Sequence, residues 1–112
     1  MAFEKICTLD DVWEGEMESF QSKDGQNILI MCMEGGSVKA FQGICPHQEM
    51  ELVDGTFENG VLTCHAHLWQ FDCTTGKGIN PDDCQIAEYP IKVENDEIFV
   101  DTEGVEPFQS HA

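Results

Sequence analysis

Two short runs of metal-binding side chains restrict the folds open to this chain more than anything else in it. They are Cys45-Pro46-His47 and Cys64-His65-Ala66-His67, with sixteen residues between His47 and Cys64. Each run offers one sulfur and one imidazole nitrogen, so two loops distant in sequence must meet at one metal centre. Two cysteines and two histidines suit a binuclear iron–sulfur centre in which histidine replaces cysteine on one iron. They also suit tetrahedral zinc. In an extended segment, side chains two residues apart project to the same side roughly 6–7 Å from one another. That span fits Cys45 and His47 reaching two different irons better than it fits one ion. The gap from Cys64 to His67 is one that zinc sites use as well, so the second run does not discriminate by itself. The whole pattern is long, and it favours the iron–sulfur reading.

Around these runs the chain alternates short apolar segments with turn chemistry, the pattern of an all-β protein. Strands are expected over 3–7, 16–20, 27–33, 37–43, 60–64, 68–73, 85–93 and 97–101. The turn signals between them are Asp24-Gly25, Gly35-Gly36, Asn59-Gly60, Gly76-Lys77-Gly78 and Asn95-Asp96. On this map both ligand runs fall on loops at strand ends. Thr8 followed by Asp11 predicts one short capped helical turn, with no other helix expected. At 112 residues the chain is read as one domain, 1–112, with a loosely held tail over about 105–112. Trp13 is expected in the core.

The motifs Cys-Pro-His-Gln at 45–48 and Cys-His-Ala-His-Leu-Trp at 64–69 resemble those of the Rieske ferredoxins. Phe71-Asp72, Thr75-Gly76, Pro81, Ile86 and Tyr89 extend the resemblance through most of the chain. Gly-Ile-Asn-Pro-Asp-Asp-Cys at 78–84 narrows it to the ferredoxin of bacterial toluene monooxygenases. The resemblance implies an antiparallel β-sandwich with two cluster-binding loops and a covering proline loop that contains Pro81. It implies one [2Fe-2S] cluster, with Cys45 and Cys64 on one iron and His47 and His67 on the other. His65 stands where the wider family often has proline and Leu68 where it often has glycine, and neither change removes a ligand. Respiratory relatives carry hydroxyl donors after the last histidine and a disulfide between the loops. Here Trp69 and Phe71, and Met50 and Ala66, stand at those positions. A low reduction potential follows, towards the bottom of the roughly −150 to +300 mV range of such centres.

The resemblance also implies an electron carrier with no catalysis of its own. Its donor would be an NADH-dependent flavin reductase, and its acceptor the di-iron hydroxylase of an aromatic hydrocarbon monooxygenase. A ring-hydroxylating dioxygenase is the nearest alternative acceptor, and a nitrite-reductase-like small subunit a more distant one. From the residues alone, a zinc-stabilised binding module remains open, and it would be colourless where an iron–sulfur protein is not.

Charge narrows the partners further. Twenty-two acids against five lysines and no arginine give a net charge of −17. That excludes phosphate-rich nucleic acid and anionic membrane surfaces as natural partners, and it favours a basic one reached by electrostatic steering. Glu49 and Glu51 flank the first ligand run and are candidates to orient that partner. Trp69 is a candidate to shield the centre or touch the partner, or equally an inward-packed strand residue. The N-terminal residues lack a basic start and an apolar run, so a cytoplasmic protein is expected. Cys7, Cys32, Cys73 and Cys84 are then reduced thiols acting as small apolar side chains.

Overall fold

In a computed structural model of the chain, the structure describes residues 3–23, 25–33, 35–44, 51–58, 60–64, 69–73, 75–80, 85–103 and 105. The most informative strand is Asn27–Cys32, because Ile28 through Cys32 are all buried. Side chains alternate across a strand, so a run buried at every position must have protein against both faces. Ile28, Ile30 and Cys32 pack with Cys7, Val12, Ala40, Tyr89, Ile98 and Val100. Leu29 and Met31 pack on the opposite side with Phe41, Leu52, Leu62, Cys64, Phe71, Cys73 and Ile86.

The strand order explains the two cores. The strands are β1 Glu4–Thr8, β2 Met17–Gln21, β3 Asn27–Cys32, β4 Val38–Gln42, β5 Thr56–Glu58, β6 Val61–Thr63, β7 Gln70–Asp72, β8 Gly78–Asn80, β9 Glu88–Tyr89, β10 Ile91–Glu94 and β11 Glu97–Val100. They form three antiparallel sheets, ordered β1-β11-β10, β2-β3-β4-β9 and β5-β6-β7-β8. The second sheet is the shared middle layer. The first core lies between it and β1-β11-β10, and the second core between it and β5-β6-β7-β8. This is the all-β antiparallel architecture expected from the sequence.

Local chemistry follows the turn signals. Asn95 and Asp96 both adopt positive φ, 51° and 64°, between the paired residues Glu94 and Glu97. Such a two-residue hairpin needs positive φ at both positions, and Asn and Asp tolerate it. The short turn at Leu9–Asp11 forms as a 3₁₀ helix, and Thr8 N–H donates to Asp11 Oδ2 at 2.9 Å.

Several expectations are corrected. The segment 85–93 is not one strand: Pro90 separates β9 from β10, and these belong to different sheets. Proline cannot supply a ladder N–H, so the chain changes sheet there. The strands β5 and β8 were not expected, since β8 begins on Gly78, which reads as turn chemistry, and β5 carries a single apolar residue, Phe57. A second 3₁₀ turn, Leu52–Asp54, stands where no further helix was expected. Trp13 is not core: it is 68% exposed, its indole N–H donates to Asp10 O at 2.9 Å, and Val12 is buried in its place. Val105, expected in the loose tail, packs partly buried against the first core, while 106–112 lie outside the described residues.

Candidate metal centre

Three segments of the chain leave from stems that are closed by hydrogen bonds. The first, 45–50, is flanked by an antiparallel bridge between Ile44 and Glu51, and Leu52 N–H donates to Gly43 O at 2.8 Å. The second, 65–68, lies between the hairpin strands β6 and β7. Thr63 pairs with Gln70 there, and Cys64 N–H donates to Trp69 O at 2.7 Å. The third, 81–84, follows β8; Lys77 bridges Gln85, and Ile86 N–H donates to Gly76 O at 2.7 Å. Gly76 must be glycine: its φ is 80°, and a Cβ there would lie 2.6 Å from the Ile86 carbonyl oxygen.

These stems meet in one place. Leu52, Cys64 and Ile86 belong to the same buried cluster, with Val53 and Trp69 packed against it. Gly55 presses the exit of the first segment onto the entry of the second. A Cβ on Gly55 would sit 2.0 Å from the Thr63 carbonyl oxygen and 3.3 Å from Cys64 Cα. Any larger residue would wedge the two stems apart.

Of the residues singled out by the sequence, the structure describes Cys64, Trp69 and Glu51. Cys64 is 1% exposed, at the last position before the 65–68 segment. Trp69 closes that segment by its carbonyl and is half-buried against the second core, which favours packing over an exposed contact. Glu51 is exposed, but its Oε1 accepts from Asn27 Nδ2 at 3.0 Å and from Ser19 Oγ at 3.5 Å. It therefore braces the first stem to β2 and β3. Cys45, His47, Glu49, His67 and Pro81 lie outside the described residues, as do His65, Met50, Ala66 and Cys84.

Sequence reasoning passed over three stem residues: Gly55, Asn27 and Gln42. Gly55 carried a signal, a glycine after Asp54 between the two ligand runs. Asn27 and Gln42 looked like ordinary strand polar residues. Asn27 O accepts from Gly43 N–H at 2.9 Å, so this residue holds both ends of the first segment. Its buried Oδ1 finds no hydrogen-bond donor among the described residues, and it fills the space that a Cβ on Gly43 would need.

The other described cysteines behave as the apolar side chains they were expected to be. Burial pushes the Cys7 thiol up to about 11, helped by Asp11. Burial with Asp72 pushes Cys73 up to about 12, against a lowering hydrogen bond from Leu62. Cys32 is raised by burial and by Glu14. All three are free thiols, and a thiol held protonated is a poor nucleophile and a poor metal ligand.

A family model for the Rieske [2Fe-2S] domain matches residues 2–90 of the chain. The protein belongs to that family. Among curated relatives, the ferredoxin component of an alkene monooxygenase system from Xanthobacter autotrophicus is 41% identical over 88% of this chain and 80% of its own. The ferredoxin component of a biphenyl 2,3-dioxygenase from Rhodococcus jostii is 34% identical over 93% of this chain and 96% of its own. The solved ferredoxin of Sphingomonas yanoikuyae superposes with a TM-score of 0.81 at 22% identity, covering 90% of this chain and 99% of that one, which shows the shared fold.

As a Rieske protein the chain holds one [2Fe-2S] cluster and is an electron carrier rather than a catalyst. The structure fits that group: a buried cysteine opens the 65–68 segment, which contains His67, and the stem of the segment containing Cys45 and His47 abuts it. Such a cluster supplies reversible one-electron chemistry. The protein's part is to fix the donors and exclude water, and Leu52, Leu62, Phe71 and Ile86 form an apolar floor packed with Cys64. Among the described residues, no helix is long and apolar enough to cross a membrane.

Proposed function

We propose that this protein carries single electrons from an NADH-dependent flavin reductase to the di-iron hydroxylase of a toluene-type monooxygenase. Cys45 and Cys64 would hold one iron, and His47 and His67 the other, within a single domain spanning 1–112 in the cytoplasm. The observation that carries the reading is the meeting of the two ligand stems at Gly55 and Cys64, which needs no open site for a substrate. The motifs Cys-Pro-His-Gln and Leu-Trp support a monooxygenase, as does the 41% identity to the alkene monooxygenase ferredoxin. A second reading, delivery to a ring-hydroxylating dioxygenase, is supported by the 34% identity to the biphenyl dioxygenase ferredoxin over nearly its full length.

Reconstitution decides between them. The holoprotein is mixed with reductase and with either a di-iron aromatic hydroxylase or a Rieske dioxygenase, and product per NADH is measured. Coupled turnover with the hydroxylase alone supports the first reading, and turnover with the dioxygenase alone reverses it. With 22 acids on the chain, cluster reoxidation by the acceptor should slow steeply with added salt.

A further inference from the structure

β4 ends in a glutamine at a depth where its neighbours are apolar. Gln42 is 1% exposed and follows the fully buried Phe41. Its main-chain N–H donates to Ala87 O at 2.9 Å, and its side-chain Oε1 accepts from Ala87 N–H at 2.8 Å. Its Nε2 donates to Ile44 O at 2.7 Å. A carboxamide so deep is tolerated only with both ends bonded, because an unpaired polar atom there is costly. A leucine would fill similar space with no such demand, so the amide's distinct contribution is the connection it makes.

That connection joins two of the three stems. Ile44 is the residue before Cys45, and Ala87 lies three residues after the segment 81–84. Peptide units are planar, so a bond to the Ile44 oxygen also fixes the plane through which the chain leaves for Cys45. We infer that Gln42 is a positioning residue whose carboxamide couples the stem of the first ligand segment to the stem of the segment 81–84. Both segments then keep a fixed relation to the cluster, and ligand orientation of this kind tunes a metal centre. The inference rests on Cys45 and His47 being ligands.

The test compares three holoproteins: the parent, Gln42→Met, and Ile98→Val, a buried change away from the three stems. Gln42→Met keeps the side chain's length and loses the hydrogen bonds to Ile44 and Ala87. Hydrogen exchange at the Ala87 amide should rise roughly tenfold, and chelators should strip iron roughly tenfold faster. The electron paramagnetic resonance g-values and the midpoint potential should shift. Ile98→Val should lower thermal stability and move none of these. If Gln42→Met does not fold, Gln42→Asn, one methylene too short to span both partners, should shift the same readouts in the same direction. Unchanged exchange at Ala87 overturns the tie itself. Raised exchange with unchanged g-values, potential and iron release overturns the positioning role. Cys45→Ser then locates the fault: if it keeps its cluster the ligand assignment is wrong, and if it loses the cluster only the coupling is.

Discussion

The two cores on either face of β3 are built from similar residues and do different work. The first, around Ile28, Ile30, Tyr89 and Ile98, packs strands against strands, among them the hairpin closed by Asn95-Asp96. The second, around Leu29, Phe41, Leu62 and Phe71, includes Leu52, Cys64 and Ile86, each at a loop stem. Both contain buried cysteine, yet Cys7 is raised to about 11 by burial and stays a thiol, while Cys64 stands at the edge of a segment carrying histidine. Depth alone therefore does not mark a candidate ligand; Cys64 is set apart by its place at the edge of the 65–68 segment. One core packs sheet against sheet, and the other also gathers the stems of three segments.

The largest expected effect separates the two cores by their cysteines. Cys64→Ser should abolish the visible absorption and the resonance signal, because losing one of four protein ligands opens an iron. Cys7→Ser should keep both at parent intensity. A coloured Cys64→Ser protein would break the distinction.

Next come the apolar floors. Phe71→Ala should destabilise by about 3–5 kcal/mol and Ile98→Ala by about 2–5 kcal/mol, as buried large-to-small changes do. Only Phe71→Ala should also speed iron loss to a chelator, since it removes the floor beneath Cys64. Equal iron loss in both variants would mean that the two cores act as one.

Alkaline pH gives a smaller difference. An unfolded thiol releases its proton near 9, whereas Cys7 holds on to about 11 and Cys73 to about 12. Folded values raised in this way contribute stability that is complete below about pH 9 and is lost as pH climbs through that window. The denaturant midpoint should thus fall from about pH 9 upward, to about 11 for the Cys7 contribution and about 12 for that of Cys73. Cys73→Ala should flatten that fall more than Cys7→Ala, because the Cys73 shift is larger. An unchanged slope in both would sink the assignment.

The smallest effect belongs to Glu51. Glu51→Gln still accepts from Asn27 through its amide oxygen, so stability should stay within about 0.5 kcal/mol. The salt dependence of electron delivery should weaken only slightly, because this carboxylate is engaged by Ser19 and Asn27. A large loss of salt dependence in stopped-flow reoxidation would restore Glu51 as a docking residue.

The legible part of this protein was whatever is encoded by neighbours in sequence. Ligand spacing pointed to the cluster, alternation to the long strands, and Asn95-Asp96 to a turn, since each is a local requirement of coordination or backbone geometry. Tertiary packing decided what contact alone can decide. Pro90 split a run that alternation had joined, and Val12 rather than Trp13 took the place in the core. Gly55 became a stem residue when the β5–β6 hairpin folded Thr63 against it, and Asn27 and Gln42 because segments far apart in sequence brought Glu51 and Ala87 against them. A hydrogen bond between residues 42 and 87 leaves no periodic trace in the sequence, because its partner is supplied by the fold.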